Sequence, residues 1–218
     1  MTNPPIKYVL FDVANTLLHK PLLWERMDAV LRSEGHIIPL QRLQYVHKIT
    51  SETLVFPDTT SEAFYTTFNT YFLNNLGIVA EKPLLETLFQ KCKNLPWEPF
   101  ADVSVLRDIR VKTGILSNFN SGLRSLLEET IPNATFSDLF ISEEMDVRKP
   151  DLAFYQQAVA QLNIPAAHIL YVGDSVRLDL APALEVGMQV RLIDRSEFFV
   201  PTASRITSLK ELLTDFDV

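Results

Sequence analysis

Apolar positions along the chain follow two different patterns, and the change from one to the other divides it. Ile6-Lys7-Tyr8-Val9-Leu10-Phe11 is an almost unbroken apolar run, as expected of a strand buried on both faces of a parallel sheet. Thr113 to Ser117, Leu139 to Ser142, His168 to Gly173 and Gln189 to Asp194 read the same way. Helical spacing separates these runs: Leu123, Leu126 and Leu127 share one face, as do Phe154, Ala158, Val159 and Leu162. Near the C-terminus Ser208 and Glu211 have the spacing of a capping box, ahead of Leu209, Leu212, Leu213 and Phe216. Strand and helix in alternation predict an α/β fold with a Rossmann-like parallel sheet.

Residues 19–95 break the alternation with helix after helix. Leu23, Met27, Val30 and Leu31 form a stripe that ends near Gly35. Leu43, Val46, Ile49 and Thr53 form a second. Phe64, Phe68 and Phe72 form a third, closed by Gly77 as a C-cap, and Leu84, Leu88, Phe89 and Cys92 a fourth. Four consecutive amphipathic helices predict a small bundle inserted into the sheet domain. Residues 1–18 and 96–218 are then the α/β core and 19–95 the insertion. Any buried helix face shows the spacing of the aromatic stripe, so it is read as core packing rather than as a ligand face.

Composition narrows the function classes. The formal net charge of −7 disfavours a nucleic-acid surface, which needs clustered Lys and Arg. It leaves room for a small phosphorylated ligand held by a local group of donors. No apolar run reaches the length of a membrane span, and Ile6 to Phe11 is too short for a signal-peptide core. The single cysteine, Cys92, excludes an internal disulfide and is read as a small buried hydrophobe. These features predict a cytoplasmic protein with a small-molecule substrate and neither nucleic acid nor membrane as partner. The sequence carries no signal for oligomeric state. The six glycines form no G-x-G-x-x-G and the four histidines have no zinc-ligand spacing.

Open parallel sheets bind ligands at the carboxyl ends of their strands. Asp12-Val13-Ala14-Asn15-Thr16 follows the first run, Ser117-Asn118 closes the second, and Gly173-Asp174-Ser175 closes the fourth, with Asp179 five residues past Asp174. Lys149-Pro150-Asp151 stands at an expected helix start. Each alone reads as an ordinary turn, cap or proline at a helix start. Together they would bring carboxylates, a hydroxyl, an amide and an ammonium into one crevice, a set able to hold a divalent cation and phosphate oxygens.

This set resembles the four motifs of the haloacid dehalogenase superfamily. Tyr8 to Thr16 is similar to motif I, Ile115 to Asn118 to motif II, Lys149-Pro150-Asp151 to motif III, and Val172 to Ser175 with Asp179 to motif IV. The likeness runs from about Ile6 to Asp194, and the helical insertion resembles the family's C1 cap. The resemblance implies that Asp12 attacks phosphorus and forms an aspartyl-phosphate. Mg²⁺ would sit between Asp12, the Ala14 carbonyl and Asp174, with Asp179 in support. Ser117, the Asn118 backbone and Lys149 would hold the transferring group, and Thr16 would order the nucleophile loop.

One position departs from the pattern. The family's phosphatases carry a second Asp two residues after the nucleophile, which protonates the leaving oxygen and then activates water; here it is Ala14. The expected activity is a Mg²⁺-dependent phosphatase of limited substrate scope. 2-Haloacid dehalogenases also lack the second Asp, but they lack the metal carboxylate that Asp174 would supply. Phosphonoacetaldehyde hydrolase has Ala at this place and uses a cap lysine; Lys48 would be that lysine, though the later motifs differ and a solvated helix-face charge is the simpler reading. A non-catalytic protein that binds phosphate or metal is the remaining alternative.

Overall fold

The computed structural model describes residues 4–216, so the outermost ends of the expected core, 1–3 and 217–218, lie outside the described residues. The chain divides into two compact units. One joins the segment up to His19 to the segment from Pro99 onward; the other is Lys20–Glu98.

The first unit is a six-stranded sheet built from β1 (Tyr8–Phe11), β4 (Lys112–Ser117), β5 (Asp138–Ile141), β6 (Ile169–Gly173), β7 (Gln189–Ile193) and β8 (Arg205–Ile206). The strand order is β5-β4-β1-β6-β7-β8, and the paired strands run parallel. All four β1 residues are buried, as their apolar run requires. Two short strands, β2 (Leu18–His19) and β3 (Glu98–Pro99), make a separate two-stranded sheet. The helices of this unit are α5 (Leu123–Thr130), α6 (Ser142–Met145), α7 (Leu152–Leu162) and α8 (Ala181–Val186). Tyr8, Leu10, Phe154, Tyr155, Ile169 and Tyr171 belong to one buried cluster that packs the sheet against α7 and α8.

Each strand expected from the sequence is present, with ends shifted by a residue or two. Ile6 and Lys7 precede β1, although Lys7 N–H already donates to the His168 carbonyl. Ser142 starts α6 instead of ending β5. The capping box at Ser208 and Glu211 forms, but the turn it opens, Leu209–Asp215, is a 3-10 helix. Among the elements with no clear pattern in the sequence are the edge strand β8, two residues long, the short strands β2 and β3, and the 3-10 segment Ala101–Asp108.

The second unit holds α1 (Leu22–Ser33), α2 (Leu40–Thr53), α3 (Glu62–Leu76) and α4 (Lys82–Cys92). Ser61 caps α3 by accepting from the Phe64 N–H, and Gly77 ends it in the left-handed conformation, φ +81°. Phe68 and Phe72 are buried in the core of this unit, with Phe64 and Cys92 packed against it, so the aromatic stripe is a core face.

Candidate active site

The strand order places β1 at the topological switch point, with β4 on one side and β6 on the other. Register then brings the motif residues together. Phe11 pairs with both Ile115 and Val172, and Asp12 N–H donates to the Val172 carbonyl at 2.9 Å. Asp12 is therefore level with the ends of β4 and β6, where Ser117 and Asp174 lie.

Asp12 is 4% exposed and is held from several sides. Its Oδ1 accepts from Ser117 Oγ at 2.9 Å and from Lys149 Nζ at 2.7 Å. Its Oδ2 accepts from Thr16 Oγ1 at the longer distance of 3.5 Å. Beyond Asp12 the chain turns back on itself: Thr16, Leu17 and Leu18 all direct N–H groups at the Val13 carbonyl, and Asn15 adopts φ +59°. Asn is among the residues that take this left-handed geometry most readily.

Lys149 is also buried. A cis peptide bond joins it to Pro150, and Asp151 caps α7 by accepting from Ala153 N–H at 2.9 Å. Proline therefore precedes the cap residue and does not open the helix. Asn118 fixes the lysine backbone from both sides: its Nδ2 donates to the Lys149 carbonyl at 3.0 Å, and its Oδ1 accepts the Lys149 N–H at 2.8 Å. The ammonium lies 2.7 Å from Asp12 Oδ1, 2.7 Å from Asp179 Oδ1 and 3.2 Å from the Tyr171 hydroxyl. An ammonium has three N–H donors, and these contacts occupy all three.

Asp179 sits on a π-helical turn, Val176–Leu180, that runs on into α8. Such turns recur at functional sites because they redirect one side chain. Here the turn folds the carboxylate back onto the end of β6, where Oδ2 accepts from Ser175 N–H at 2.9 Å. A Cβ at Gly173 would lie 2.4 Å from Asp179 Cγ, so only glycine admits this approach. Tyr171 and Tyr155, which the motifs do not single out, support the same region. The Tyr171 hydroxyl is 2.9 Å from the Leu116 carbonyl and 3.0 Å from Asp179 Oδ1, and Tyr155 donates to the Leu178 carbonyl of the π turn. Both tyrosines look like plain core residues in the sequence.

Burial and charge act against each other here. Burial pulls the Lys149 pKa down, but Asp12 and Asp179 outweigh it and hold the ammonium above the ordinary lysine range. Burial raises the Asp12 pKa; Lys149 opposes it and Asp179 reinforces it, and the net direction is upward. The burial of two carboxylates around one ammonium leaves a net negative site that a divalent cation would relieve. Asp12, Asp174 and Asp179 each offer an oxygen, all within 4.8 Å of one another. This donor set of hard carboxylate oxygens suits Mg²⁺.

The sequence-derived site residues thus converge: Asp12, Thr16, Ser117, Asn118, Lys149, Asp174 and Asp179 surround the end of β1. Ala14 is half-buried and bridges to Leu18. In this state Ser117 and Lys149 engage Asp12 itself, and the Asn118 side chain engages the lysine backbone.

Residues 6–187 match the family described as haloacid dehalogenase-like hydrolase. The chain is 27% identical to haloacid dehalogenase-like hydrolase domain-containing protein 3 of Danio rerio over 95% of both chains. It is 31% identical to the pyrimidine 5'-nucleotidase YjjG of Escherichia coli over 59% of both. Among solved structures, the magnesium-bound hydrolase YfnB of Bacillus subtilis superposes with a TM-score of 0.66 at 17% identity, covering 99% of this chain and all of that one. The L-2-haloacid dehalogenase RSc1362 superposes with the same TM-score at 22% identity and the same coverage.

Proposed function

The chain belongs to the haloacid dehalogenase-like hydrolases, and from that premise we propose that it is a Mg²⁺-dependent phosphatase that uses Asp12 as nucleophile and acts on a small phosphorylated metabolite. The observation that carries the reading is the grouping of Asp12, Asp174 and Asp179 within 4.8 Å, with Lys149 against two of them. Halide departs without a proton or a cation, so a dehalogenase has no need of a metal carboxylate such as Asp174; phosphoryl transfer needs a cation to neutralise oxygen charge. The nucleotidase relative supports the same side.

Asp12, Asp174 and Asp179 would hold Mg²⁺, as would the Ala14 carbonyl by resemblance, and the bound cation would offset charge on the transferring group. An Asp12 oxygen attacks phosphorus, the bond from phosphorus to the leaving oxygen breaks, and the leaving group departs with the electron pair. Water then hydrolyses the aspartyl-phosphate, releasing phosphate and restoring Asp12. Lys149 keeps its proton throughout and balances Asp12, while Ser117 orients the carboxylate. Ala14 has no proton to give, and general acid/base help is worth about 10²–10⁴-fold. Substrates whose leaving groups are stable anions, acyl and aryl phosphates, are therefore favoured over alkyl esters.

The test is a panel of acetyl phosphate, an aryl phosphate, alkyl phosphates and 2-haloacids, each with and without Mg²⁺. Acetyl phosphate should turn over with Mg²⁺ and the haloacids should not. Ala14→Asp should raise alkyl phosphate hydrolysis by about tenfold or more. Turnover of 2-chloropropionate without metal would establish the dehalogenase reading in its place.

A further inference from the structure

The turn after Asp12 is held at a second point, by a residue outside the four motifs. Arg195 follows β7. Its Nη2 donates to the Thr16 carbonyl at 3.0 Å, and its Nη1 donates to Asp102 Oδ2 at 2.7 Å. Its guanidinium lies over the Phe100 ring, 3.9 Å from the centroid, and the His19 ring stacks on the same phenyl at 4.1 Å. Phe100 N–H in turn donates to the Leu17 carbonyl at 3.0 Å. The nucleophile loop is thus gripped at two successive carbonyls, Thr16 by Arg195 and Leu17 by the residue that Arg195 stacks on.

The anchor behind this grip is itself fixed. Asp102 Oδ2 also accepts from Ser208 Oγ and from Leu209 N–H, both at 2.8 Å. Burial raises the Asp102 pKa, but the hydrogen bonds from Arg195, Leu209 and Ser208 outweigh it and hold the carboxyl below its ordinary range. A planar guanidinium can stack on a ring while donating in two directions; an ammonium on a flexible stem cannot do both with the same geometry. Thr16 is fully buried, and its hydroxyl is the group beside Asp12 Oδ2. Arg195 therefore holds the carbonyl of the residue whose side chain meets the nucleophile.

We propose that Arg195 is a positioning residue for the Asp12 loop, holding Thr16 in place so that the carboxylate stays aligned for attack. The catalytic consequence rests on Asp12 being the nucleophile; the hold on the loop does not. A shift of about 1 Å in a reacting group can reduce rate by ~10²-fold without touching the substrate.

The experiment compares the full chain with Arg195→Ala and Arg195→Lys by amide hydrogen exchange at residues 15–18 and by steady-state kinetics on acetyl phosphate with Mg²⁺. Arg195→Ala should accelerate exchange at 15–18 by about tenfold or more, leave the β6 amides unchanged, and lower kcat by ~10- to 100-fold with KM within about twofold. Arg195→Lys, which keeps the charge beside Asp102, should retain the wild-type Tm more closely yet show the same fast loop exchange. Free guanidinium should restore part of the kcat of Arg195→Ala, which a general loss of stability would not allow. Unchanged exchange at 15–18 in either folded variant overturns the hold on the loop. Fast exchange with unchanged kcat overturns the catalytic role. A wild-type protein inactive on the phosphates and on the 2-haloacids alike would defeat the nucleophile reading and with it the catalytic role, while the exchange data still decide whether Arg195 orders the loop.

Discussion

The two units bury different chemistry. In the helical unit, Lys20–Glu98, the buried polar side chains are Thr50 and Asn69, both neutral, amid Phe68, Phe72 and leucines. In the α/β unit the buried set includes Asp12, Lys149, Asp179, Asp102 and Asp194. Desolvating a charge costs several kcal/mol unless partners offset it, whereas burying apolar area stabilises at about 25 cal/mol per Å². The α/β unit accepts that cost and meets it with specific donors: Lys149 for Asp12 and Asp179, Arg195 for Asp102, and the Phe198 and Phe199 N–H groups for Asp194. Four of these five charges lie at or just beyond strand carboxyl ends, and Asp102 reaches that region through Arg195. The difference separates a core held by apolar packing from one that also holds paired charges at the strand ends.

The largest expected effect comes from breaking the charge balance. Lys149→Met leaves Asp12 and Asp179 facing each other without an ammonium. Removing one partner of a buried pair costs roughly 3–5 kcal/mol, and losing such a positioned charge costs about 10²–10³-fold in rate. Urea unfolding and acetyl phosphate turnover measure the two losses. Mg²⁺ should raise the Tm of this variant by more than that of wild type, because the cation replaces part of the missing positive charge. An equal or smaller rise would mean that the carboxylates do not share a metal.

The matching change in the helical unit is Phe72→Ala. Phe72 is fully buried, so truncation should cost about 3–5 kcal/mol in unfolding free energy from lost burial and the cavity left behind. Unlike Lys149→Met, it should gain no extra protection from Mg²⁺. Metal-dependent rescue of Phe72→Ala to the same degree would erase the distinction between the two kinds of core.

The smallest effect is a pH response in the helical unit. His47 lies among Trp24, Phe68 and Phe72, with ring centroids 4.8–5.7 Å away. Burial, with a contribution from Lys48, lowers its pKa to about 4. A folded pKa below the unfolded value of about 6.5 means that the unfolded chain takes up the proton first. Stability from this group is complete above pH ~6.5 and declines as pH falls toward 4. At about 1.4 kcal/mol per pH unit the bound is roughly 3 kcal/mol, reduced because His47 keeps a partly exposed edge. Urea titrations from pH 7 to 4 should show this decline, and His47→Phe should flatten it; an unchanged slope in the variant would assign the acid sensitivity elsewhere.

The helical unit was legible because its physics is local. Every turn of α1 to α4 repeats the same apolar spacing, and Ser61 and Gly77 close α3 by rules that involve only nearby residues. The buried strands were legible for the same reason, and their order in the chain was enough to nominate Asp12, Ser117, Lys149 and Asp174 as neighbours. Several features were not legible. The edge strand β8 takes its form from pairing with β7, since two residues carry no period of their own. Asp179 was nominated by its place after Asp174, but its contact with Lys149 comes through a π turn and a glycine contact that no spacing encodes. Tyr155 and Tyr171 read as core because the pattern registers their rings and not the direction of their hydroxyls. Arg195 meets Asp102 and Thr16 across 93 and 179 residues of sequence. Periodicity by itself determined which segments are helix or strand and which residue types stand at the strand ends, because propensity and burial act over a few residues. Only the tertiary structure decided which of those polar groups meet, because hydrogen bonds and ion pairs depend on distances of about 3 Å that chain folding alone can set.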